Sequence, residues 1–518
     1  MMKHKIHQKL PHSWEEREKL RENGQFWTPS WVAEAMVQYV ISGSNLIFDP
    51  AAGKGAFCLA FKKILDSEKE NNIKKRIKFY GIDIDNDILK KGEEEGIYQK
   101  DFCILELRDF IHNPPKRKFK SIVANPPYIR HHRIPVNTKN ILKELSRRIM
   151  GFTIDGRAGL HIYFLILALS LLEPKGKLAF IMPADTCEGI FSKSLWGWIT
   201  KNYRLKYVIT FLPEATPFPN VDTNAIVFLI KNIKPTKKLL WVQSKYSYSD
   251  DLRVLIKSNN SKKLFPTLNV ISRNLEEALK TGLSRPPAKE NYSNYKLSDF
   301  AYVMRGIATG DNQFFFLTKE KAKKLNIPNR YFVPAIGRTK DIEPGKIVIS
   351  DEDFYRLDRN GRPTLLLSLN EKNLKDYSKP IRNYIDYGEK IGINKKSLLQ
   401  TRNPWYKMEK REVPEFLFTY LGRKKIRFIK NNTNAVPLTG FLCVYSRSKK
   451  IGFINKLWKI LQHPLVGENL RLVGKSYGSG AIKVEPRALE SLPIPNHLVK
   501  KYGLDLDIIT SRNIRDNK

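Results

Sequence analysis

Between Ser44 and about Ile233 the chain alternates short apolar runs with longer stretches of helical periodicity, and this alternation restricts the fold more than any other feature. Leu46 to Phe48, Phe79 to Ile82, Ser121 to Ala124, Leu178 to Met182, Tyr207 to Phe211 and Ala225 to Ile230 each read as a strand. Strands separated by helices predict a parallel, doubly wound α/β sheet, which binds ligands beyond the carboxyl ends of its strands. The most apolar run, Leu160 to Leu172, contains His161 and Ser170 and falls short of the roughly 20 residues that span a bilayer. It reads as a buried helix, and no membrane association is expected.

One core cannot hold 518 residues. From about Lys234 to Asn294 the pattern degrades into Lys, Ser, Asn and Pro, with SNNSKK at 258–263 and the pair Pro286 and Pro287, as in a linker. Beyond Tyr295, strand-like pieces such as Gln313 to Leu317 and Phe416 to Tyr420 are punctuated by GIATGDN, IGRTKD and KSYGSG, which predicts a turn-rich mixed α+β domain. The expected organisation is a first domain over 1–245, a connecting segment over 246–294 and a second domain over 295–518.

Charge narrows the partner. Lys and Arg number 91 against 52 Asp and Glu, a net +39, far more than solubility requires, so a polyanion is expected. The amino terminus has charges but no apolar central region, so no secretory signal is expected. Cys58, Cys103, Cys187 and Cys443 lie far apart without a C-x-x-C pair, which argues against a disulfide framework and a thiolate zinc site. The histidines lack metal-helix spacing, so no metal site is expected either.

Chemistry gathers at the strand ends. In LIFDPAAGKGAF, Leu46 to Phe57, an apolar strand ends in Asp49 and enters a small-residue loop containing Gly53 and Gly55, a turn tight enough to let a ligand approach the backbone. It is not a phosphate P-loop, since no Ser or Thr follows the Gly-Lys pair. The next strand ends in Asp83, followed by Ile84, and an acid there accepts hydrogen bonds from ribose hydroxyls. Asp101 with Phe102 reads as a third acid, suited to an exocyclic adenine amine with a ring alongside. Asn125-Pro126-Pro127-Tyr128 then follows directly on Ser121 to Ala124. Two prolines stiffen the chain, Asn125 and the Pro126 carbonyl offer acceptors to a planar amino group, and Tyr128 offers an aromatic face.

Together these motifs resemble the S-adenosylmethionine-dependent DNA adenine-N6 methyltransferases of gamma motif order from restriction-modification systems. Gly24-Gln-Phe-Trp-Thr28-Pro29 is similar to their amino-terminal cofactor motif, and Asp49-Pro50-Ala51 through Gly53, Gly55 and Phe57 to their methionine-binding loop. Asp83 and Asp101 match their ribose and adenine contacts, and Asn125 to Tyr128 their catalytic motif. The resemblance further implies that Phe218, in TPFPNVDTNAIVFL, faces Tyr128 across the base. It also implies a Rossmann-like catalytic domain, a carboxyl-terminal target-recognition domain, S-adenosyl-L-methionine as cofactor and double-stranded DNA as partner. The setting implied is the bacterial or archaeal cytoplasm. A restriction endonuclease would be a separate protein, because no D…(D/E)-x-K constellation is evident.

The tetrad Asn-Pro-Pro-Tyr also occurs in enzymes that methylate glutamine amides or rRNA guanine, and cytosine-N4 transfer presents a similar amino group. The length beyond Tyr295, the basic charge and Phe218 weigh against the glutamine reading. A noncatalytic DNA-binding specificity subunit is the remaining alternative, opposed by the intact set Asp49, Asp83, Asp101, Asn125 and Tyr128.

Overall fold

The computed structural model describes residues 27–67, 77–187, 191–218, 224–260, 263–287, 293–371, 373–419, 421–422, 427–477 and 481–504. Gly24 to Phe26 of the amino-terminal motif, and Pro219, lie outside the described residues. The chain divides into two compact units near residue 288.

The first unit is built on a sheet whose strands are β1 (Leu46–Asp49), β2 (Lys78–Asp83), β3 (Cys103–Leu107), β4 (Phe119–Ala124), β5 (Leu172–Pro183), β6 (Arg204–Phe211), β7 (Ala225–Lys231), β8 (Lys238–Ser244) and β9 (Leu268–Asn274). They lie side by side in the order β3-β2-β1-β4-β5-β7-β6-β8-β9. All six expected strands are present. From β3 to β5 every pair is parallel, as expected. The parallel expectation fails at β7, which runs antiparallel to both β5 and β6. Between Phe211 and Ala225 the described residues hold only a short 3₁₀ turn, Pro213–Ala215. A return strand without a crossover helix pairs antiparallel.

Within the stretch 246–294, expected as a connection, the described residues up to 287 contribute structure to this unit. Helix Asp251–Ser258 packs beneath the sheet, and β9 pairs antiparallel with β8 from Lys238↔Asn274 to Ser244↔Leu268. Hydropathy hides β9 because its anchor is polar. The Arg273 side chain is buried, pairing through Nε with Glu277 Oε2 at 2.6 Å and donating to the carbonyls of Gly282 at 3.1 Å and Arg285 at 2.7 Å.

Alternating residues of the central strands feed two cores. Ile122, Leu178, Phe180 and Phe228 face helices Leu160–Ser170 and Ser192–Asn202, while Val123, Ala179, Ile181 and Val227 face helices Ser30–Val40, Ala56–Ser67 and Asp251–Ser258. The run read as a buried helix is one: from His161 to Leu169 every residue is buried. Among the described residues no helix is long and apolar enough to cross a membrane.

The second unit is mixed α and β. Strand Ala301–Arg305 pairs antiparallel with Leu442–Ser446, which pairs with Phe416–Phe418, and a second sheet joins Phe316–Leu317, Leu365–Leu367 and Phe332–Ile336. Gln313 to Leu317, expected as a strand, begins instead as the helical turn Asn312–Phe315, because Asp311 caps it by accepting from Phe314 N at 2.8 Å.

Candidate active site at the carboxyl edge of the sheet

The glycine loop leaves β1 where the register Asp49↔Gly81 sets it beside β2. Asp49 is fully buried. Its Oδ1 accepts from Ala51 N at 3.1 Å, its Oδ2 is buried without a hydrogen-bond partner among the described residues, and burial pushes the carboxyl well above the usual range. Gly53 has φ +53° with open space where a Cβ would stand. Gly55 combines φ +95° with a Cβ position 2.6 Å from Ile97 Cγ2, so only glycine fits there. Pro50 is buried and Ala51 half-buried, whereas Phe57 turns into the core below the loop.

Asp83 fixes the loop to β2. Its Oδ2 accepts from Gly53 N at 2.8 Å and its Oδ1 from Asp85 N at 3.0 Å, and burial raises its pKa. A carboxylate has acceptor capacity beyond these two bonds. Ile84, next along, is 70% exposed, an uncovered apolar side chain at this edge. Sequence reasoning missed Tyr98, whose hydroxyl lies 3.0 Å from Ala52 O and 2.9 Å from Gly53 O and braces the loop.

Asp101 and Phe102 are displaced from this edge. They precede β3, where Phe102 O accepts from Phe79 N at 2.8 Å, and β2 and β3 are parallel from Phe79↔Cys103 to Asp83↔Leu107. At about 3.3 Å per residue, the amino end of β3 lies roughly 13 Å from the Asp83 level. Phe102 packs against Phe61 with ring centroids 6.0 Å apart, and Asp101 is exposed. The acid at the carboxyl end of β3 is Asp109, one residue beyond Arg108, whose N–H donates to Asp83 O at 2.8 Å. The sequence repeats the pair Asp-Phe at 101–102 and 109–110, and only the strand boundary separates the two.

Asn125 to Tyr128 leave β4 at the same edge, one strand from β1 through the register Phe48↔Ile122. Asn125 Nδ2 donates to Thr28 Oγ1 at 3.1 Å, so the amino-terminal motif orients the amide of the tetrad. Pro29, beside Thr28, is buried, and Trp27 is covered by Lys54 of the glycine loop, with Nζ 4.9 Å from the ring centroid. Tyr128 donates to Ile181 O at 3.2 Å, and burial of the hydroxyl holds its pKa well above the usual value, so it stays neutral. Its ring meets Phe218 edge to face at 6.5 Å and His161 likewise at 5.9 Å. Phe218 is therefore beside Tyr128 as expected, but the two rings touch and do not stand as parallel planes. His161 was missed: it is buried, both ring nitrogens lack hydrogen-bond partners among the described residues, and desolvation lowers its pKa. Among the described residues no group of three or more His, Cys, Asp or Glu is placed to hold a metal ion.

The glycine loop, Asp49, Asp83 and the tetrad thus share one sheet edge. The N-6 DNA Methylase family matches residues 15–271, and the C-terminal domain of Type II methyltransferase M.Eco57I matches residues 286–517. Type II methyltransferase M.AccI of Acinetobacter calcoaceticus is 29% identical over 493 residues, covering 94% of this chain and 86% of its own. M.XamI of Xanthomonas campestris pv. amaranthicola is 23% identical over 484 residues, covering 91% and 85%. The fold is shared with the Type IIL restriction-modification enzyme MmeI, solved in complex with DNA, at TM-score 0.56 and 13% identity, covering 93% of this chain and 65% of that one. The chain belongs to the N-6 DNA methylase family and is an adenine-specific DNA methyltransferase of the Type II restriction-modification class.

Proposed function

We propose that Asn125, Pro126, Tyr128 and Phe218 carry the transfer, with S-adenosylmethionine as donor and an adenine turned out of duplex DNA as acceptor. The observation that supports this most is the common sheet edge on which Asp49, Asp83 and Asn125 lie on three adjacent strands. The residues suit the cofactor. Asp49 has a buried oxygen awaiting a donor, the Gly53 backbone is open to approach, Asp83 retains acceptor capacity for ribose hydroxyls, and Ile84 offers an apolar face. In this reading Asp109, not Asp101, meets the adenine moiety, through acceptor capacity beyond its local bonds to Ile111 N at 2.8 Å, His112 N at 3.1 Å and His112 Nδ1 at 2.7 Å, and Thr28 and Pro29 adjoin the tetrad. When bound, the cofactor supplies a methyl group activated by its sulfonium.

The chain's own residues act on the other reactant. An adenine amine is a weak nucleophile because its lone pair is delocalised into the ring. Asn125, held through Nδ2 by Thr28, accepts through Oδ1, and together with the Pro126 carbonyl it draws the amine toward tetrahedral geometry. Neither group is a base, so the surplus proton leaves to solvent. Turning the base out of the duplex costs a few kcal/mol, and stacking on Tyr128 returns about 1–3 kcal/mol. Because Phe218 is in contact with Tyr128, Phe218 must swing aside to admit the base. The carboxyl-terminal unit reads base edges while basic side chains hold phosphates. Any restriction endonuclease of the system would be a separate protein.

The test incubates the whole chain with tritiated-methyl S-adenosylmethionine and, in parallel, with unmethylated duplex DNA and with rRNA, then digests the products to nucleosides. Label in N6-methyladenine is expected. Label in N4-methylcytosine, or transfer to rRNA alone, would overturn the assignment of the pocket.

A further inference from the structure

The opposite edge of the same sheet carries a cluster that methyl transfer does not use. Lys177 of β5 pairs in register with Lys231 of β7, and Lys231 pairs with Arg204 of β6. Lys206 joins them, and all four side chains are half-buried. Among the described residues none of the four forms an ion pair. Their neighbours are aromatic: Lys177 Nζ is 5.5 Å from the Tyr39 ring centroid, Lys206 Nζ is 5.4 Å from that of Tyr207, and the two rings meet edge to face at 6.4 Å. Tyr39 is 4% exposed, and among the described residues its hydroxyl has no hydrogen-bond partner, nor has the buried Nε of Arg204.

The electrostatics are unfavourable as they stand. Burial, then Lys231, lowers the Lys177 pKa. Burial, then Lys177, Arg204 and Lys231, lowers that of Lys206 to about 8. Buried donors and crowded cations without acceptors are destabilising, and an anion relieves both at once. A guanidinium, two or three ammonium groups and a phenol are the donors that suit tetrahedral oxygens.

We propose that Tyr39, Lys177, Arg204, Lys206 and Lys231 form a binding site for a phosphate group, carried by inorganic phosphate or by a nucleotide. The site is distinct from the transfer edge. Lys177 is level with Ser121 and Phe180 is level with Ala124, which places it roughly 13 Å from Asn125 along the strands.

The experiment follows thermal unfolding of the whole chain in sodium phosphate and in sodium chloride at equal ionic strength. Phosphorus NMR line broadening of inorganic phosphate gives a second readout. A saturable stabilisation specific to phosphate is expected. The double variant Arg204→Met with Lys231→Met should lose that response, while Lys143→Met, at an exposed lysine on helix Val136–Met150, should keep it. If the double variant does not fold, Lys231→Gln alone should weaken the response several-fold. Cytidine 5′-monophosphate acting at lower concentration than inorganic phosphate would identify a nucleotide as the source, and equal action a free phosphate. Equal unfolding temperatures in the two salts, or a full phosphate response in the double variant, would overturn the proposal.

Discussion

The two edges of the first unit's sheet leave polar groups uncompensated with opposite sign. At the carboxyl edge the carboxylates are acceptors: among the described residues the buried Asp49 has an unpartnered oxygen, and the half-buried Asp83 accepts from backbone N–H groups. At the amino edge of β5 and β6 the groups are donors: the Tyr39 hydroxyl, the Arg204 Nε and two lysines depressed in pKa. A core has no use for either arrangement, since an unmatched buried polar group costs about 1–3 kcal/mol. The contrast teaches that net charge alone does not locate function in this chain. In the second unit, too, basic residues serve the fold: Arg402 donates to Thr309 O at 3.2 Å and Arg427 to Lys346 O at 3.0 Å.

The acceptor edge yields the largest expected effects. Asn125→Ala should lower methyl transfer by about a thousandfold or more while leaving cofactor affinity near the parent value, read by tritium incorporation and calorimetry. Retained activity would remove the tetrad from the mechanism. Next, Asp109→Ala should weaken cofactor binding by roughly tenfold or more, the loss of a hydrogen bond to a charged acceptor, whereas Asp101→Ala should leave it unchanged. Equal losses in both would contradict the placement of β3.

Thr28→Val should lower kcat by about two- to tenfold, the worth of one hydrogen bond, without changing cofactor affinity, and Thr28→Ser should restore it. A change in affinity alone would make Thr28 a cofactor ligand and not the support of Asn125. Asp49→Asn should separate stability from function. Because burial raises the Asp49 pKa in the folded chain, its contribution is present below the unfolded carboxyl value and lost as pH rises. The variant should therefore melt higher than the parent at pH 7 and converge with it in acid, while binding cofactor less well.

The smallest effect belongs to the donor edge. Lys206 has a depressed pKa, so its charge weakens the fold as pH falls from the free-lysine range through about 8. Lys206→Met should thus unfold at a slightly higher temperature than the parent at pH 7 in chloride, and the gain should vanish above pH 10.5. A gain independent of pH would point to packing instead of charge.

The sequence alone determined what local chemistry encodes. Strand β1 with its acid and glycines, the acid ending β2, and the tetrad after β4 are each legible, because a run of apolar residues followed by a fixed set of side chains needs no distant partner to be recognised. The mixed character of the carboxyl-terminal half was legible for the same reason. Only the tertiary structure decided which of two Asp-Phe pairs stands at the ligand edge, since that depends on where β3 begins and on its register with β2. It also decided that residues 246–294 hold a strand, that β7 runs backward, that the Asn125 amide donates to Thr28, and that cations from three strands gather beside the paired rings of Tyr39 and Tyr207. Each of these depends on pairings between residues distant in the chain, and periodicity records which face a residue prefers without recording what it will meet there.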